Sequence, residues 1–244
     1  VSQLPATMEQ IKWSFGSLTH SQEKEFIFRR IGMLQCDKTS PFLQASLTEV
    51  VAEAHEIMRK FAARNILSAM KKSSVEVRSD AVLLEEAEER ARSIVSLRDI
   101  QRVFRLYEFF LEDMRDNLLD WSDADQQHRR AMLLSVAAVY YLRLDSESRR
   151  EFLATIQSLP TEASEKIGLV DALDEAMDGV IRGIELPKGI AVTRGLRENA
   201  WLTLTCLLSQ TPLIIVGPPG TSKVRGGSVL LCSRSHFFVS LDRL

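Results

Sequence analysis

The sequence has 244 residues, 45% hydrophobic and 26% charged, which is typical of a globular chain with a buried core, and its net charge of −2 gives no general argument for binding nucleic acid or a membrane surface. Three widely separated cysteines lack a metal-ligand spacing, so we expect no metal site and a reducing, cytoplasmic compartment. We also expect no signal peptide and no transmembrane segment, because the longest apolar stretch, residues 131–142, is shorter than the roughly 20 residues that span a bilayer.

Glycine usage divides the sequence into two parts. Gly16 and Gly32 precede Gly168, and the other glycines follow it. Because glycine weakens helix interiors, a long stretch that nearly lacks it predicts a helical body. We expect loops and a strand after that body.

The first part of the body contains two predicted helices. Ser21 can cap the first. Ser46-Leu-Thr-Glu49 is a capping box, in which the serine and the glutamate satisfy backbone N–H groups at a helix start. His55 and Arg59 fall off the apolar face of this second helix, so we expect no metal role for them. That face consists of residues at helical spacing, namely Leu47, Val50, Val51, Ala54, Ile57, Met58 and Phe61.

A second capping pattern follows a solvated helix at residues 80–93. In Ser96-Leu-Arg-Asp99 the serine and the aspartate predict a helix start. Arg98 lies in the first turn of that helix, where the helix dipole disfavours a cation. We interpret this misfit as a contact of Arg98 with an anion outside the helix; the alternative is an exposed arginine with no special role. The predicted buried stripe contains Leu97, Ile100, Val103, Phe104, Tyr107, Phe110 and Leu111.

Further helices are expected on both sides of a break in the chain. An apolar run that ends at residues 140–143 predicts a core helix, and two more fall at residues 152–159 and 161–182. Residues 183–189 are the best candidate for a domain boundary. A helix at residues 196–209 then leads directly into a strand and a loop, an order typical of an α/β nucleotide-binding domain.

The most informative motif is Thr211-Pro-Leu-Ile-Ile-Val-Gly-Pro-Pro-Gly-Thr-Ser-Lys223. Its apolar run, residues 213–216, predicts a short buried strand of a parallel sheet. The loop behind it resembles the P-loop pattern, in which backbone N–H groups cradle phosphates and a lysine reaches the outer ones. The alternative is a Pro-Gly turn that binds nothing. The predicted nucleotide site consists of Gly217, Pro218, Pro219, Gly220, Thr221, Ser222 and Lys223.

This loop departs from the P-loop pattern at two positions. Ser222 replaces the second glycine, and Val224 replaces the serine or threonine whose hydroxyl holds Mg²⁺. Beyond Lys223, two adjacent glycines oppose the helix that a phosphate loop needs behind it. Residues 228–244 have neither helical nor strand periodicity.

Four stretches in order resemble the mysterin family of giant AAA+ proteins that are also RING-type ubiquitin ligases. They are residues 8–18, 95–100, 140–144 and 186–191, and the resemblance covers nearly all of residues 5–223. The family's own phosphate loop often reads G-x-P-G-S-S-K-S, so a serine before the lysine fits this family. The S-L-R-D stretch is shared with other chained AAA+ proteins such as dynein and midasin.

The resemblance implies three segments. Residues 1–182 correspond to the helical lid of one AAA+ unit and the helices that join it to the next unit. Residues 183–223 correspond to the start of that next unit, with a helix, a strand and a Walker A loop. We expect residues 224–244 to be a non-native tail, either translated intron or an error in the gene prediction. Arg98 matches the lid arginine that can reach the γ-phosphate of its own unit.

The implied fold class is mainly α, a helical AAA+ lid and linker bundle followed by the truncated start of an α/β P-loop domain. The full-length parent would bind ATP and Mg²⁺, hydrolyse ATP, contact neighbouring AAA+ units of the same chain and transfer ubiquitin from a ubiquitin-conjugating enzyme to protein substrates. With an incomplete Walker A loop, this chain alone is expected to be inactive. Two alternatives stay open, a non-catalytic helical scaffold and a piece of a dynein- or midasin-like motor or remodeller.

Overall fold

The computed structural model describes residues 18–34, 41–73, 79–117, 124–159, 168–184, 186 and 190–216. Within these ranges the regular structure is helical, which confirms the predicted mainly α fold. A 3₁₀ turn, Tyr141–Arg143, lies between the fifth and sixth helices. The helices are α1 (His20–Leu34), α2 (Pro41–Ser73), α3 (Asp80–Ile94), α4 (Leu97–Asn117), α5 (Ala124–Val139), α6 (Ser146–Ser158), α7 (Leu169–Arg182) and α8 (Arg194–Leu208).

Helix α2 is the longest described element and organises the bundle. It has 33 residues, a length of about 50 Å at 1.5 Å per residue. It packs against α1, α3 and α6. Most of the apolar stripe that the sequence predicted for it is buried, namely Leu47, Val51, Ala54, Ile57, Met58 and Phe61.

The predicted start of α2 was wrong. The helix begins at Pro41, so the supposed capping box at Ser46 lies inside it. Proline is favoured at the first helical position because its missing N–H is not needed there and its φ is already helical. Nearby, the hydroxyl of Thr48 donates to the backbone oxygen of Gln44 at 2.7 Å, a bond typical of a helix interior. The S-x-x-E pattern therefore falls in a helix that had already started.

Helices α4 and α5 form the second part of the core. They pack along each other, and α5 also contacts α2 and α7. Tyr107 Oη and His128 Nδ1 lie 2.6 Å apart and connect the two helices. Most of the predicted stripe of α4 is buried, namely Ile100, Val103, Phe104, Tyr107, Phe110 and Leu111, whereas Leu97 is half-buried.

Helix α8 packs on α7 and ends in a left-handed turn. Gln210 has a φ of 52°. Its N–H donates to the Leu207 oxygen at 3.3 Å, and the Thr211 N–H donates to the Cys206 oxygen at 2.8 Å. These two bonds form a Schellman motif, which usually has glycine at the left-handed position. The motif turns the chain away from α8 towards residues 211–216.

The predicted buried strand at residues 213–216 is not observed. Residues 211–216 have no regular structure, and Ile214 and Val216 are 87% and 89% exposed. A parallel strand is stabilised by hydrogen bonds to neighbouring strands. The described ranges contain no other strand with which this segment could pair. An apolar run therefore did not by itself specify a strand.

The described residues contain neither a membrane-spanning helix nor a cluster of metal ligands. None of the described helices is long and apolar enough to cross a membrane. No group of three histidine, cysteine, aspartate or glutamate side chains among the described residues could hold a metal ion. The Cys206 thiol is free and buried, and burial raises its pKa.

Candidate functional site

The predicted site residues divide into two groups. Residues 217–223, the predicted phosphate loop, and the predicted tail at residues 224–244 lie outside the described residues. Arg98 is described, and it lies in the first turn of α4 as the sequence predicted. The surroundings of Arg98 therefore define the candidate site.

The start of α4 is held by the buried carboxylate of Asp99. Its Oδ2 accepts a hydrogen bond from the Ser96 backbone N–H at 3.0 Å, as a capping box requires. Ser96 Oγ accepts in turn from the Arg98 backbone N–H at 3.4 Å. Asp99 Oδ1 accepts from Arg102 at 2.8 Å and from Arg143 at 3.3 Å. The predicted cap is confirmed on the aspartate side, and Asp99 has two cationic partners that the sequence did not predict.

A nearly buried ion pair fixes the turn that precedes α4. Arg59 Nη1 and Nη2 donate to the two carboxylate oxygens of Glu23 at 2.6 and 2.7 Å. Arg59 Nε donates to the backbone oxygen of Val95 at 3.2 Å. The side chains of Arg59 and Glu23 are 14% and 6% exposed. Such bidentate pairing adds geometric specificity, so α1, α2 and the turn before α4 are held in one arrangement.

His55 is buried, which corrects the prediction that it falls off the apolar face of α2. Its side chain is 2% exposed, and its Nδ1 lies 2.9 Å from Tyr140 Oη. Burial, with a contribution from Arg59, lowers the pKa of His55 to about 4. Burial and the charge of Asp99 raise the pKa of Tyr140 well above its usual value. The prediction failed because α2 is packed on more than one side, so its buried surface is wider than one stripe.

Arg98 itself is exposed. Among the described residues no carboxylate forms an ion pair with it, and the adjacent Asp99 is already bonded to Arg102 and Arg143. A cation in the first turn of a helix is disfavoured by roughly 0.3–1 kcal/mol because of the helix dipole. Arg98 is therefore a positive charge on a fixed backbone, and no carboxylate in the described part of the chain neutralises it.

Helix α8, which precedes the predicted phosphate loop in sequence, is anchored by Glu198. Its carboxylate accepts two hydrogen bonds from Arg149, at 2.7 and 3.1 Å, and one from Arg194 at 2.9 Å. Burial opposes ionisation of Glu198, but these arginines outweigh it, so the pKa of Glu198 is lowered. The guanidinium of Arg149 also lies over the ring of Tyr141, 5.0 Å from its centroid. These contacts attach the start of α8 to the first turn of α6 and to the 3₁₀ turn that precedes it.

Comparison with protein families matches part of the chain. Residues 189–236 match the family described as RNF213 AAA domain. The matched segment contains α8 and the predicted phosphate loop at residues 217–223. It continues to residue 236, and the proposed tail boundary at residue 224 stays a prediction.

Curated proteins match nearly the whole chain. The E3 ubiquitin-protein ligase rnf213-beta of Danio rerio is 27% identical over 237 residues, which cover 94% of this chain and 4% of the relative. The E3 ubiquitin-protein ligase RNF213 of Homo sapiens is 25% identical over 240 residues, which cover 91% of this chain and 4% of the relative. The chain is an RNF213-like segment.

A third relative comes from an organism outside the vertebrates. It is described as a putative uncharacterized transmembrane protein of Dictyostelium discoideum, and it is 23% identical over 265 residues, covering 94% of this chain and 4% of the relative. The chain thus spans about 4% of the length of these relatives. A match to an RNF213 AAA domain, together with relatives described as E3 ubiquitin-protein ligases, confirms the resemblance that was predicted from four short stretches.

Arg143 is a residue of the candidate site that the motifs did not predict. Arg143 belongs to the third resembling stretch, and Asp99 belongs to the second. The fold brings them to 3.3 Å across 44 residues of sequence. The signal available in the sequence was only that both stretches contain a charged residue, which is too common to indicate a contact.

Proposed function

We propose that this RNF213-like segment joins two AAA+ units of a longer, ATP-dependent ubiquitin ligase. In this proposal residues 1–182 form the helical lid of one unit with the helices that follow it, and residues 183–223 begin the next unit. The observation that carries the proposal is the setting of Arg98. It is an exposed arginine in the first turn of α4, and it has no ion-pair partner among the described residues. Its backbone N–H donates to Ser96 Oγ, and the Ser96 N–H donates to the carboxylate of Asp99.

The γ-phosphate of ATP bound to the same unit is the partner that fits Arg98. A planar guanidinium can donate two parallel hydrogen bonds to phosphate oxygens, and such charge-assisted bonds are stronger than neutral ones. Because the backbone of α4 is already fixed, binding has to order only the Arg98 side chain. Hydrolysis then depends on whether the lid brings Arg98 to the phosphate.

A second nucleotide contact is proposed at residues 217–223. Backbone N–H groups near Gly217 and Gly220 would surround the phosphates, and Lys223 would reach the outer ones. The RNF213 AAA domain match includes these residues, which supports the assignment. Mg²⁺ would accompany the ATP phosphates. Val224 has no hydroxyl to bind the metal, so we expect weaker ATP–Mg²⁺ binding than in a loop with serine or threonine there.

The activity of the whole protein is proposed from its relatives. The zebrafish and human proteins are described as E3 ubiquitin-protein ligases. We propose that the protein containing this chain acts in the cytoplasm and transfers ubiquitin from a ubiquitin-conjugating enzyme to protein substrates. Within it, this segment belongs to the ATPase part and contacts neighbouring AAA+ units of the same chain.

The test is ATP turnover of the full-length protein with Arg98→Ala. We expect a lower kcat, since the phosphate loses a charge-assisted contact, while the thermal unfolding midpoint stays unchanged because Arg98 is exposed. Arg105→Ala is the matched control, because Arg105 is an exposed arginine further along the same helix. Equal turnover of the two variants would favour the helical scaffold that binds no nucleotide.

A further inference from the structure

Two arginines, Arg102 and Arg143, bind the buried carboxylate of Asp99, and a third, Arg98, precedes Asp99 on α4. Arg102 and Arg143 both donate to its Oδ1, at 2.8 and 3.3 Å, so their guanidinium groups lie close to each other. Arg98 lies one turn before Arg102 on α4, and residues four apart are neighbours on a helix surface. The carboxylate is 3% exposed, whereas Arg102 and Arg143 are 53% and 43% exposed. The negative charge is thus buried beneath a cationic surface.

The balance of charge at this place is positive. Two guanidinium groups bind the one carboxylate of Asp99, and among the described residues no second carboxylate forms an ion pair with these two arginines or with Arg98. Tyr140 is protonated, because burial and Asp99 raise its pKa, and it adds no negative charge. The nearby Glu23 is already bonded through both oxygens to Arg59. Anion binding would therefore relieve repulsion among the arginines.

Arg143 is held more loosely than Arg102. Its contact with Asp99 is 3.3 Å long, and its other contact, with the Val139 backbone oxygen, is 3.5 Å long. Both distances are at the long end for hydrogen bonds, whereas Arg102 binds the same oxygen at 2.8 Å. Five N–H donors in a guanidinium leave Arg143 with unused bonding capacity. Arg143 can therefore bind an outside anion without a large loss of internal bonding.

We propose that Arg143 is a second phosphate-binding residue, which acts with Arg98 on the triphosphate of the nucleotide bound to the same AAA+ unit. This inference rests on the proposed role of Arg98. Arg143 lies in the 3₁₀ turn that follows α5. Asp99 is a positioning residue, because its carboxylate holds Arg143 beside the first turn of α4. The site thus takes an arginine from each of two elements, α4 and the segment that follows α5.

The experiment measures kcat and the KM for ATP of the full-length protein in five forms. These are the unsubstituted protein, Arg98→Ala, Arg143→Ala, Arg143→Lys and the control Arg105→Ala. We expect Arg143→Ala to raise the KM roughly tenfold, which is typical for the loss of one charge-assisted hydrogen bond. Arg143→Lys should recover a large part of the affinity because the charge is retained. Arg105→Ala should match the unsubstituted protein.

The same five forms distinguish phosphate binding by Arg143 from a purely structural role of this residue. If Arg143 only stabilises the end of α5, Arg143→Ala lowers the thermal unfolding midpoint and leaves the KM equal to that of Arg105→Ala, which overturns the inference. If Arg143→Ala has no effect on the KM but Arg98→Ala lowers turnover, the proposed function stands and only the inference about Arg143 is overturned. If Arg98→Ala is silent, both proposals are overturned whatever Arg143→Ala does.

Discussion

The indole of Trp201 stacks on the phenyl ring of Phe110, with ring centroids 5.9 Å apart and an angle of 4° between the planes. Trp201 belongs to α8, which leads to the predicted phosphate loop, and Phe110 belongs to α4, which carries Arg98 in its first turn. Residues 98 and 110 are about 18 Å apart along the helix axis. One helix therefore connects the candidate anion site with the element that precedes the second proposed nucleotide contact.

The Trp201–Phe110 stack should contribute to stability beyond the area that each ring buries. Trp201→Ala should lower the free energy of unfolding by about 3 kcal/mol or more, because a large buried ring is lost. In a double-mutant cycle with Phe110→Ala, we expect a coupling energy of about 1 kcal/mol, measured by urea unfolding. Leu83→Ala serves as the control partner, since Leu83 is buried on α3, which packs on α2. The prediction would be contradicted if the coupling energy between Trp201 and Phe110 were no larger than the coupling energy between Trp201 and Leu83.

The Glu23–Arg59 pair should be far more important for stability than an exposed pair on the same helix. Glu23→Gln leaves Arg59 nearly buried without its counter-ion, and we expect a loss of about 3 kcal/mol in the free energy of unfolding. Glu25→Gln is the matched control, because Glu25 pairs with Arg29 at 2.6 Å on the exposed surface of α1. That change should cost less than about 0.5 kcal/mol. Similar losses in denaturant unfolding of both variants would contradict this prediction.

Acid should destabilise the chain through His55. Its pKa is about 4 in the folded protein and 6.5 in the unfolded chain, so on acidification the unfolded state binds the proton first. The contribution of His55 is fully present above pH 6.5 and is lost progressively as the pH falls towards 4, by up to about 3 kcal/mol.

The pH dependence is measured by urea unfolding between pH 7.5 and pH 4, with His55→Gln as the comparison. Glutamine can accept the hydrogen bond of Tyr140 but does not titrate. We expect the unsubstituted chain to lose more stability over this range than the variant. The slope of its free energy of unfolding against pH should exceed that of the variant by an amount that corresponds to nearly one additional proton bound on unfolding. Parallel curves would show that His55 does not cause the acid sensitivity.

Gln210 occupies a backbone conformation that favours glycine. Because its φ is 52°, Gln210→Gly should raise the free energy of unfolding by about 1 kcal/mol. The same substitution at Gln101, an exposed position inside α4, should lower it by about 1 kcal/mol. If thermal unfolding shows a gain of stability in Gln210→Gly and a loss in Gln101→Gly, the Schellman motif is supported. A loss of stability in both variants would contradict it.

Lys223→Ala tests the proposed phosphate loop in the full-length protein. Removing the ammonium group that is proposed to contact the outer phosphates should reduce the number of nucleotides bound per chain at moderate ATP concentration, as measured by equilibrium dialysis. Lys72→Ala is the control, because Lys72 is an exposed lysine in the last turn of α2. Unchanged binding by Lys223→Ala would favour a Pro-Gly turn that binds nothing.

Local sequence patterns determined much of the helical body. The buried stripes of α2 and α4 follow from apolar spacing, and the start of α4 follows from Ser96 and Asp99, because these signals act within a few residues. The start of α2 was misjudged because two local signals, Pro41 and Ser46, competed in one stretch. The phosphate loop and the tail beyond it stay predictions, since residues 217–244 lie outside the described part of the chain.

Tertiary packing decided the features that depend on distant partners. His55 is buried because helices cover α2 on more than one side, and residues 213–216 do not form a strand because no described strand pairs with them. Arg143 meets Asp99 across 44 residues of sequence, and Trp201 reaches Phe110 on another helix. Helix periodicity depends on near neighbours along the chain, whereas burial, strand pairing and ion pairs depend on contacts that exist only after the elements have packed.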